Sequence, residues 1–406
     1  MPPIDKNFED GESTLRLETR LLHEGRNPDE QHGFINPPIV RGSTVLYPTL
    51  EAIQKRERYT GFRDKGASYA YGLRGSPTMD ALDEVLTNLD GGQGTVLLPS
   101  GLAAVTLSLM TAVSSGDHLL MTDSVYQPTR IFCEGTLKRM GVETTYHDPR
   151  IGAGISELLR PNTKAVFTES PGSQTFEIQN IDAIAEVAKN HGACVIMDNT
   201  WATPLFFRPL DHGVDLALYA GTKYFGGHSD VLSGSITANK EWWMRLRDTH
   251  DEIGMALAPD DIFLTLRGIR TMTVRVMEHE RQAIELATWL ETRPEVSRVL
   301  HPALPSHPDH DLFNEQFTGS TGLFSIVLKP MEKQAFSTFM NTLKLFGMGY
   351  SWGGFESLAV PFDCRTYRTA TTFDAEGPCV RFHAGLEHMD DLKEDIAHAF
   401  HQAAKA

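Results

Sequence analysis

Two short apolar runs end in side chains that could do chemistry. Ala193-Cys-Val-Ile-Met closes on Asp198, and Leu216-Ala-Leu-Tyr-Ala-Gly-Thr delivers Lys223 ahead of a Gly226-Gly227 turn. Each run has the length and composition of a buried strand bounded by a loop. Two such strands, consecutive and parallel, would carry Asp198 and Lys223 to one sheet edge, where open α/β sheets bind ligands. A lysine walled in by apolar residues and glycines loses hydration, so its pKa falls. The neutral amine is then the nucleophile needed to form a Schiff base. An acid and an amine so placed suit pyridoxal phosphate (PLP), the acid keeping the pyridine nitrogen protonated and the lysine holding the aldehyde. Taken alone, either stretch also fits a solvated strand end or a structural ion pair.

Other stretches hold groups of a matching kind. Ser100-Gly101-Leu102 opens a helix straight after a strand, and the free amides of Gly101 and Leu102 would make an anion site. The pattern is neither GxGxxG nor GxxxxGK[ST], so neither a dinucleotide nor an NTP is indicated. Tyr126 follows the next strand and could stack on a flat cofactor. Val380-Arg381-Phe puts an arginine inside an apolar strand, where it needs an anion; a carboxylate matches its fork. Ser351 and Trp352 lie in a polar, glycine-rich, aromatic segment, Tyr350 to Leu358. Tyr71 and Arg74 sit in a glycine loop before a helix opened by Ser76-Pro77, with Leu82, Val85, Leu86 and Leu89 on one face.

The elements that must position these groups read as α/β. From about 94 to 240, apolar strands at Thr95–Leu98, His118–Thr122, Lys164–Thr168, Ala193–Met197, Leu216–Tyr219 and Gly234–Ala238 alternate with helical patterns at 102–113, 127–140 and 181–190. This alternation implies a mostly parallel sheet covered on both faces. A long helical region at 259–292 leads to a second domain with strands near 296–301, 323–329 and 380–383 and helices near 331–343 and 389–404. The expected organisation is an arm over 1–60, a large domain over 61–265 and a smaller α+β domain over 266–406. The arm, around Asn36-Pro-Pro-Ile-Val-Arg, reads as extended and unable to bury itself, so it is expected to lie on a partner subunit.

Composition narrows the function classes. The chain has 406 residues, 41% hydrophobic and 22% charged, ordinary for a globular protein with room for two domains. A net charge of −16 without a long basic run argues against nucleic acid or an anionic membrane as partner. No apolar run approaches the roughly 20 residues of a membrane helix, and the first residues lack the pattern of a secretory signal. Cys133, Cys194, Cys364 and Cys379 show no CxxC spacing and read as reduced thiols of a cytoplasmic protein. His301, His307 and His310 lack metal-site spacing, so no metal is expected.

Taken together these motifs resemble the Cys/Met-metabolism family of PLP enzymes, with the fold type I (aspartate-aminotransferase-like) architecture. The resemblance runs through Tyr71-Gly-Leu-Arg-Gly-Ser-Pro-Thr, Ser100-Gly-Leu-Ala-Ala, Tyr126, Glu169-Ser-Pro, Asp198-Asn-Thr-Trp, Thr222-Lys223 and Gly-His-Ser-Asp230. It implies that Lys223 binds the cofactor aldehyde and moves protons, Asp198 pairs with the pyridine nitrogen and Tyr126 stacks on the ring. Gly101, Leu102 and Thr222 would hold the phosphate, with Ala220 where relatives often have serine. Arg381, Ser351 and Trp352 would hold the substrate carboxylate. Tyr71 would reach in from a neighbouring subunit, which implies at least a dimer and suggests a homotetramer. Relatives often have arginine at the position of Leu73; Arg74 is the nearest substitute. Tyr350-Ser-Trp-Gly-Gly-Phe-Glu-Ser-Leu is similar to the β-lyase branch, and Ala359-Val-Pro-Phe-Asp-Cys departs from the γ branch. The implied activity is β-elimination of an amino-acid thioether, cystathionine, to homocysteine, pyruvate and ammonia in methionine biosynthesis. The alternatives are a γ-synthase, γ-lyase or sulfhydrylase of the same family, or a non-catalytic PLP-binding regulator.

Overall fold

The computed structural model describes residues 15–64 and 67–406. Seven strands form the large sheet: β1 (Gly94–Leu98), β2 (His118–Thr122), β3 (Glu143–His147), β4 (Thr163–Glu169), β5 (Cys194–Asp198), β6 (Leu216–Tyr219) and β7 (Gly234–Ala238). Their order is β1-β7-β6-β5-β4-β2-β3. The pairs β6–β5, β5–β4, β4–β2 and β2–β3 are parallel, while β7 runs antiparallel to β1 and β6. The interior strands are buried almost throughout, as parallel strands covered on both faces by crossover helices must be. β7 returns antiparallel because the Ala220–Ser233 link carries no crossover helix.

The second sheet is antiparallel: β8 (Val296–Leu300), β9 (Leu323–Leu328), β10 (Leu358–Phe362) and β11 (Cys379–His383), in the order β10-β11-β9-β8. One apolar cluster joins the two sheets, from Val166, Val195 and Met197 of the large sheet to Leu323, Val327 and Cys379 of the small one. Trp201, three residues beyond Asp198, crosses this junction. Its indole N–H donates to the Leu323 carbonyl at 3.0 Å, and its ring meets Phe313 and Phe317 edge-on.

Four differences between the elements and the sequence reading stand out. β3 escapes a hydrophobic-run search because Glu-Thr-Thr-Tyr-His is a partly exposed edge strand. β10 contains Pro361, which lacks the N–H a central strand needs, and it lies at the sheet edge. The 259–292 helix is two helices, Pro259–Ile269 and Met272–Glu291. The freed Gly268 carbonyl accepts from Arg275 Nη2 at 2.7 Å. Finally, the arm does not lie wholly away from its own chain. The helix Leu17–His23 seats Leu21 among Leu82, Val85 and Leu86, whereas Phe34, Leu46 and Leu50 stay exposed. Among the described residues, no helix is long and apolar enough to cross a membrane.

Gly268 is where the second-domain helices meet the turn after Lys223. A Cβ there would sit 2.2 Å from the Phe225 and Gly226 carbonyl oxygens, both backbone atoms. Gly268→Ala should therefore destabilise the fold by about 1–3 kcal/mol, read as a lower urea midpoint at unchanged m-value; an unchanged midpoint would contradict this packing.

Candidate active site

The parallel register sets Asp198 opposite Glu169 of β4 and Leu218 of β6. Two carboxylic acids thus close neighbouring strands, about 5 Å apart by strand spacing. The Asp198 Oδ1 accepts from the Thr200 hydroxyl at 2.6 Å and the Thr200 amide at 3.0 Å. The Thr200 oxygen in turn accepts the Ala220 amide at 2.9 Å, tying the acid to the turn that leads to Lys223. Burial pushes the Asp198 carboxyl up, while Thr200 and Lys223 pull it down. Glu169 is driven well up too, by burial and by Asp198 itself, with the Tyr126 amide and Arg368 opposing.

Lys223 sits at the end of a compact turn. Its amide donates to the Ala220 carbonyl at 3.0 Å, and its carbonyl accepts from Gly227 at 2.8 Å. The side chain leaves the large sheet and meets the small domain. Its amine donates to Ser351 Oγ at 2.7 Å and lies 5.3 Å from the Trp352 ring centre. Burial lowers its pKa to about 7, helped by the nearby Arg381 and opposed by Asp198. Arg381 Nη2 donates to the Ser351 carbonyl at 3.0 Å. Burial brings that guanidinium down to about 10, which leaves it charged at neutral pH.

The turn that carries Ser351 is sterically narrow. Ser351 has φ of 96° and Gly353 φ of 84°. A Cβ on Gly353 would come within 3.2 Å of the Lys223 Cα, so only glycine lets the two backbones approach this closely. The Gly353 amide donates to His383 Nε2 at 3.1 Å, and His383 stands two residues after Arg381 on β11. Tyr126 begins the helix Gln127–Phe132, and its amide donates to Glu169 Oε2 at 2.7 Å. Its phenol is raised by burial, Glu169 and Asp198 and lowered by Arg381, so its hydroxyl faces the same charged groups.

On the other side of Lys223, Gly101 and Leu102 open the helix Gly101–Ala112, capped by Ser100 Oγ accepting from the Ala103 amide at 3.1 Å. Their own amides have no carbonyl within the helix to bond. A Cβ on Gly101 would lie 2.4 Å from the Ala220 Cβ, so this helix end abuts the Ala220–Lys223 turn. The Thr222 hydroxyl is engaged with the Ser233 backbone, donating at 3.3 Å and accepting at 3.1 Å.

Lys223, Asp198, Tyr126, Arg381, Ser351, Trp352, Gly101, Leu102, Ala220 and Thr222 therefore gather around one pit between the sheets. Tyr71 and Arg74 do not join them within one chain. Tyr71 is half exposed in a stretch bridged to Thr44, and Arg74 faces Asp251 at 4.0 Å. Sequence reading gave no role to Glu169, Thr200 or His383. Glu169 closes an apolar run just as Asp198 does, so a signal was present; Thr200 and His383 act through distances that no spacing reports.

The donor set fits pyridoxal phosphate. Unpaired amides at a helix N-terminus suit a phosphate, a buried carboxylate suits a protonated ring nitrogen, and an amine titrating near 7 suits an aldehyde. The description "Cys/Met metabolism PLP-dependent enzyme" belongs to a family model that matches residues 18–401. A protein of Rhizobium johnstonii named "putative cystathionine beta-lyase" is 51% identical over 392 residues, 96% of each chain. One of Escherichia coli K12 named "cystathionine beta-lyase MetC" is 39% identical, covering 95% of this chain and 98% of its own. The crystal structure of a cystathionine gamma synthase from Xanthomonas oryzae pv. oryzae has a TM-score of 0.87 at 29% identity, covering 96% and 99%.

The depressed amine can be read without cofactor. A lysine-directed acylating reagent should modify Lys223 of the cofactor-free chain with a pH midpoint near 7, the neutral fraction growing as pH rises, against about 10.4 for ordinary lysines. Peptide mass spectrometry resolves the site. A midpoint with the surface lysines would contradict the desolvated amine.

Proposed function

We propose that this chain, which belongs to the Cys/Met metabolism family of PLP-dependent enzymes and is a carbon–sulfur lyase of that family, splits cystathionine by β-elimination to homocysteine, pyruvate and ammonia. The observation that carries this reading is the amine of Lys223 held 2.7 Å from Ser351 Oγ against Trp352. A β-elimination asks for one proton from Cα and a leaving group from Cβ. A tethered base serves that task, whereas a γ-elimination asks the base to serve further carbons. The β-lyase names of close relatives support the same choice.

Bound pyridoxal phosphate supplies the electron sink for the carbanion at Cα. The chain's residues do the rest. The Gly101 and Leu102 amides receive the phosphate, while Asp198 keeps a proton on the ring nitrogen and Tyr126 covers a ring face. Arg381 fixes the substrate carboxylate through its remaining N–H groups, and Ser351 and Trp352 wall the same end. Lys223 takes the Cα proton as a neutral amine, a general-base contribution of roughly 10²–10⁴-fold. Under this reading residues 61–265 hold the cofactor and 266–406 supply Arg381. Tyr71, exposed in one chain, reaches a neighbouring subunit's phosphate and substrate, Arg74 stands in for the absent arginine at Leu73, and the assembly is a tetramer. Four buried, unpaired cysteines support a reducing cytoplasm.

Incubating the reconstituted enzyme with cystathionine and identifying the 2-oxo acid tests the proposal. Pyruvate with homocysteine is expected; 2-oxobutyrate with cysteine would replace it with γ-elimination. Lys223→Ala should abolish nearly all turnover, and pyruvate formation that survives in this variant would refute the role of the amine.

A further inference from the structure

The segment after β10 does something specific in space. β10 and β11 are paired, with Val360 opposite Arg381. The chain between them leaves the small sheet and binds the large one. Tyr367 Oη donates to Gln174 Oε1 at 2.9 Å. Arg368 Nη1 pairs with Glu177 Oε1 at 2.7 Å, and its other nitrogen meets Thr175 Oγ1. The amides of Thr369, Ala370 and Thr371 then donate in succession to one carboxylate, Asp123, at 3.0, 3.0 and 2.8 Å, joined by the Thr371 hydroxyl at 2.8 Å. Arg130 pairs with the same carboxylate. Asp123 is fully buried.

These anchors are polar, not apolar. Residues 365–372 contribute no side chain to the apolar clusters. A cavity of about 480 Å³ lies beside them, lined in part by Thr175, Glu177, Arg368 and Thr371. The segment is therefore held by directed bonds that one substitution can weaken. What it holds is the pit itself. Asp123 lies three residues before Tyr126, and Gln174 to Glu177 lie just beyond Glu169, which accepts the Tyr126 amide. The segment starts at the end of β10 and leads on to β11, which carries Arg381 and is paired with β10.

We infer that residues 364–371 form a strap binding the small sheet to the Tyr126 and Glu169 loops, with Asp123 as the positioning residue that sets how far Arg381 stands from Lys223. This rests on the reading of Arg381 as the carboxylate anchor. The buried Asp123 carboxylate is bonded to the strap and to Arg130, so loosening it should weaken substrate capture more than the chemical step.

Asp123→Asn in the holoenzyme tests this. The amide group would face three N–H donors and Arg130 with one acceptor fewer. Trypsin cleavage after Arg365 or Arg368, which needs local release of the strap, should accelerate about tenfold. KM for cystathionine should rise about tenfold with kcat changed less than about threefold. Unchanged cleavage, or faster cleavage with unchanged KM, would overturn the inference. Should Asp123→Asn fail to fold, Thr371→Val removes one bond and leaves Arg130 paired; it should shift both quantities about threefold in the same direction, and no shift in either overturns the inference. A parent enzyme inert to cystathionine would sink the substrate reading alone, leaving trypsin cleavage and KM for whichever thioether it splits to judge the strap.

Discussion

Taking an ammonium out of water costs several kcal/mol, and a chain that encloses a lysine amine settles the conflict by letting the amine lose its proton. Lys223 is enclosed by Ser351, Trp352 and the turn from Ala220. Arg381 pushes its proton off and Asp198 pulls it back, with burial the larger influence. The two cations in the pit divide the roles by chemistry. A guanidinium stays charged under desolvation that neutralises an amine, so the same burial leaves Arg381 a fixed cation and lets Lys223 lose its proton near neutrality.

Much of the architecture can be read as what this enclosure requires. Lys223 and Asp198 come from the large sheet; Ser351, Trp352 and Arg381 come from the small domain. Neither half encloses the amine alone, so the docking of the two sheets is a condition of the chemistry. The shared apolar cluster and the Trp201 indole bonded to Leu323 provide that docking. Trp201 belongs to the same short segment as Asp198 and Thr200, which couples the acid's position to the interdomain contact within four residues.

The sheet edge was legible because charged residues end apolar strands there, and a strand pattern of period and length needs no partner to be seen. Asp198 and Lys223 were singled out on that ground, and Arg381 because a cation inside an apolar strand needs an anion. The glycines at 101 and 353 mark places where backbones touch, yet only coordinates say which backbones. β3 and β10 were not legible, the first because its residues are polar and the second because of Pro361. Tyr71 and Arg74 carry a recognisable motif, but one chain leaves them beside Thr44 and Asp251, since a motif does not fix the place its residues take in the fold.

Ser351 shows how tightly the pit is drawn. Its backbone adopts a left-handed φ of 96°, rare for a residue with a side chain and typical of functional sites held by their surroundings. Two demands meet there: the hydroxyl must face the Lys223 amine while the carbonyl faces Arg381. The surroundings that hold the strained turn are Gly353 pressed on Lys223 and His383 accepting the Gly353 amide. Because His383 and Arg381 project from the same face of β11, one short strand both carries Arg381 to the Ser351 carbonyl and braces the turn that holds Ser351. Arg381 Nη2 donates to the Ser351 carbonyl, and the same planar fork carries further N–H groups, two of which a substrate carboxylate would take at once under the proposed reading.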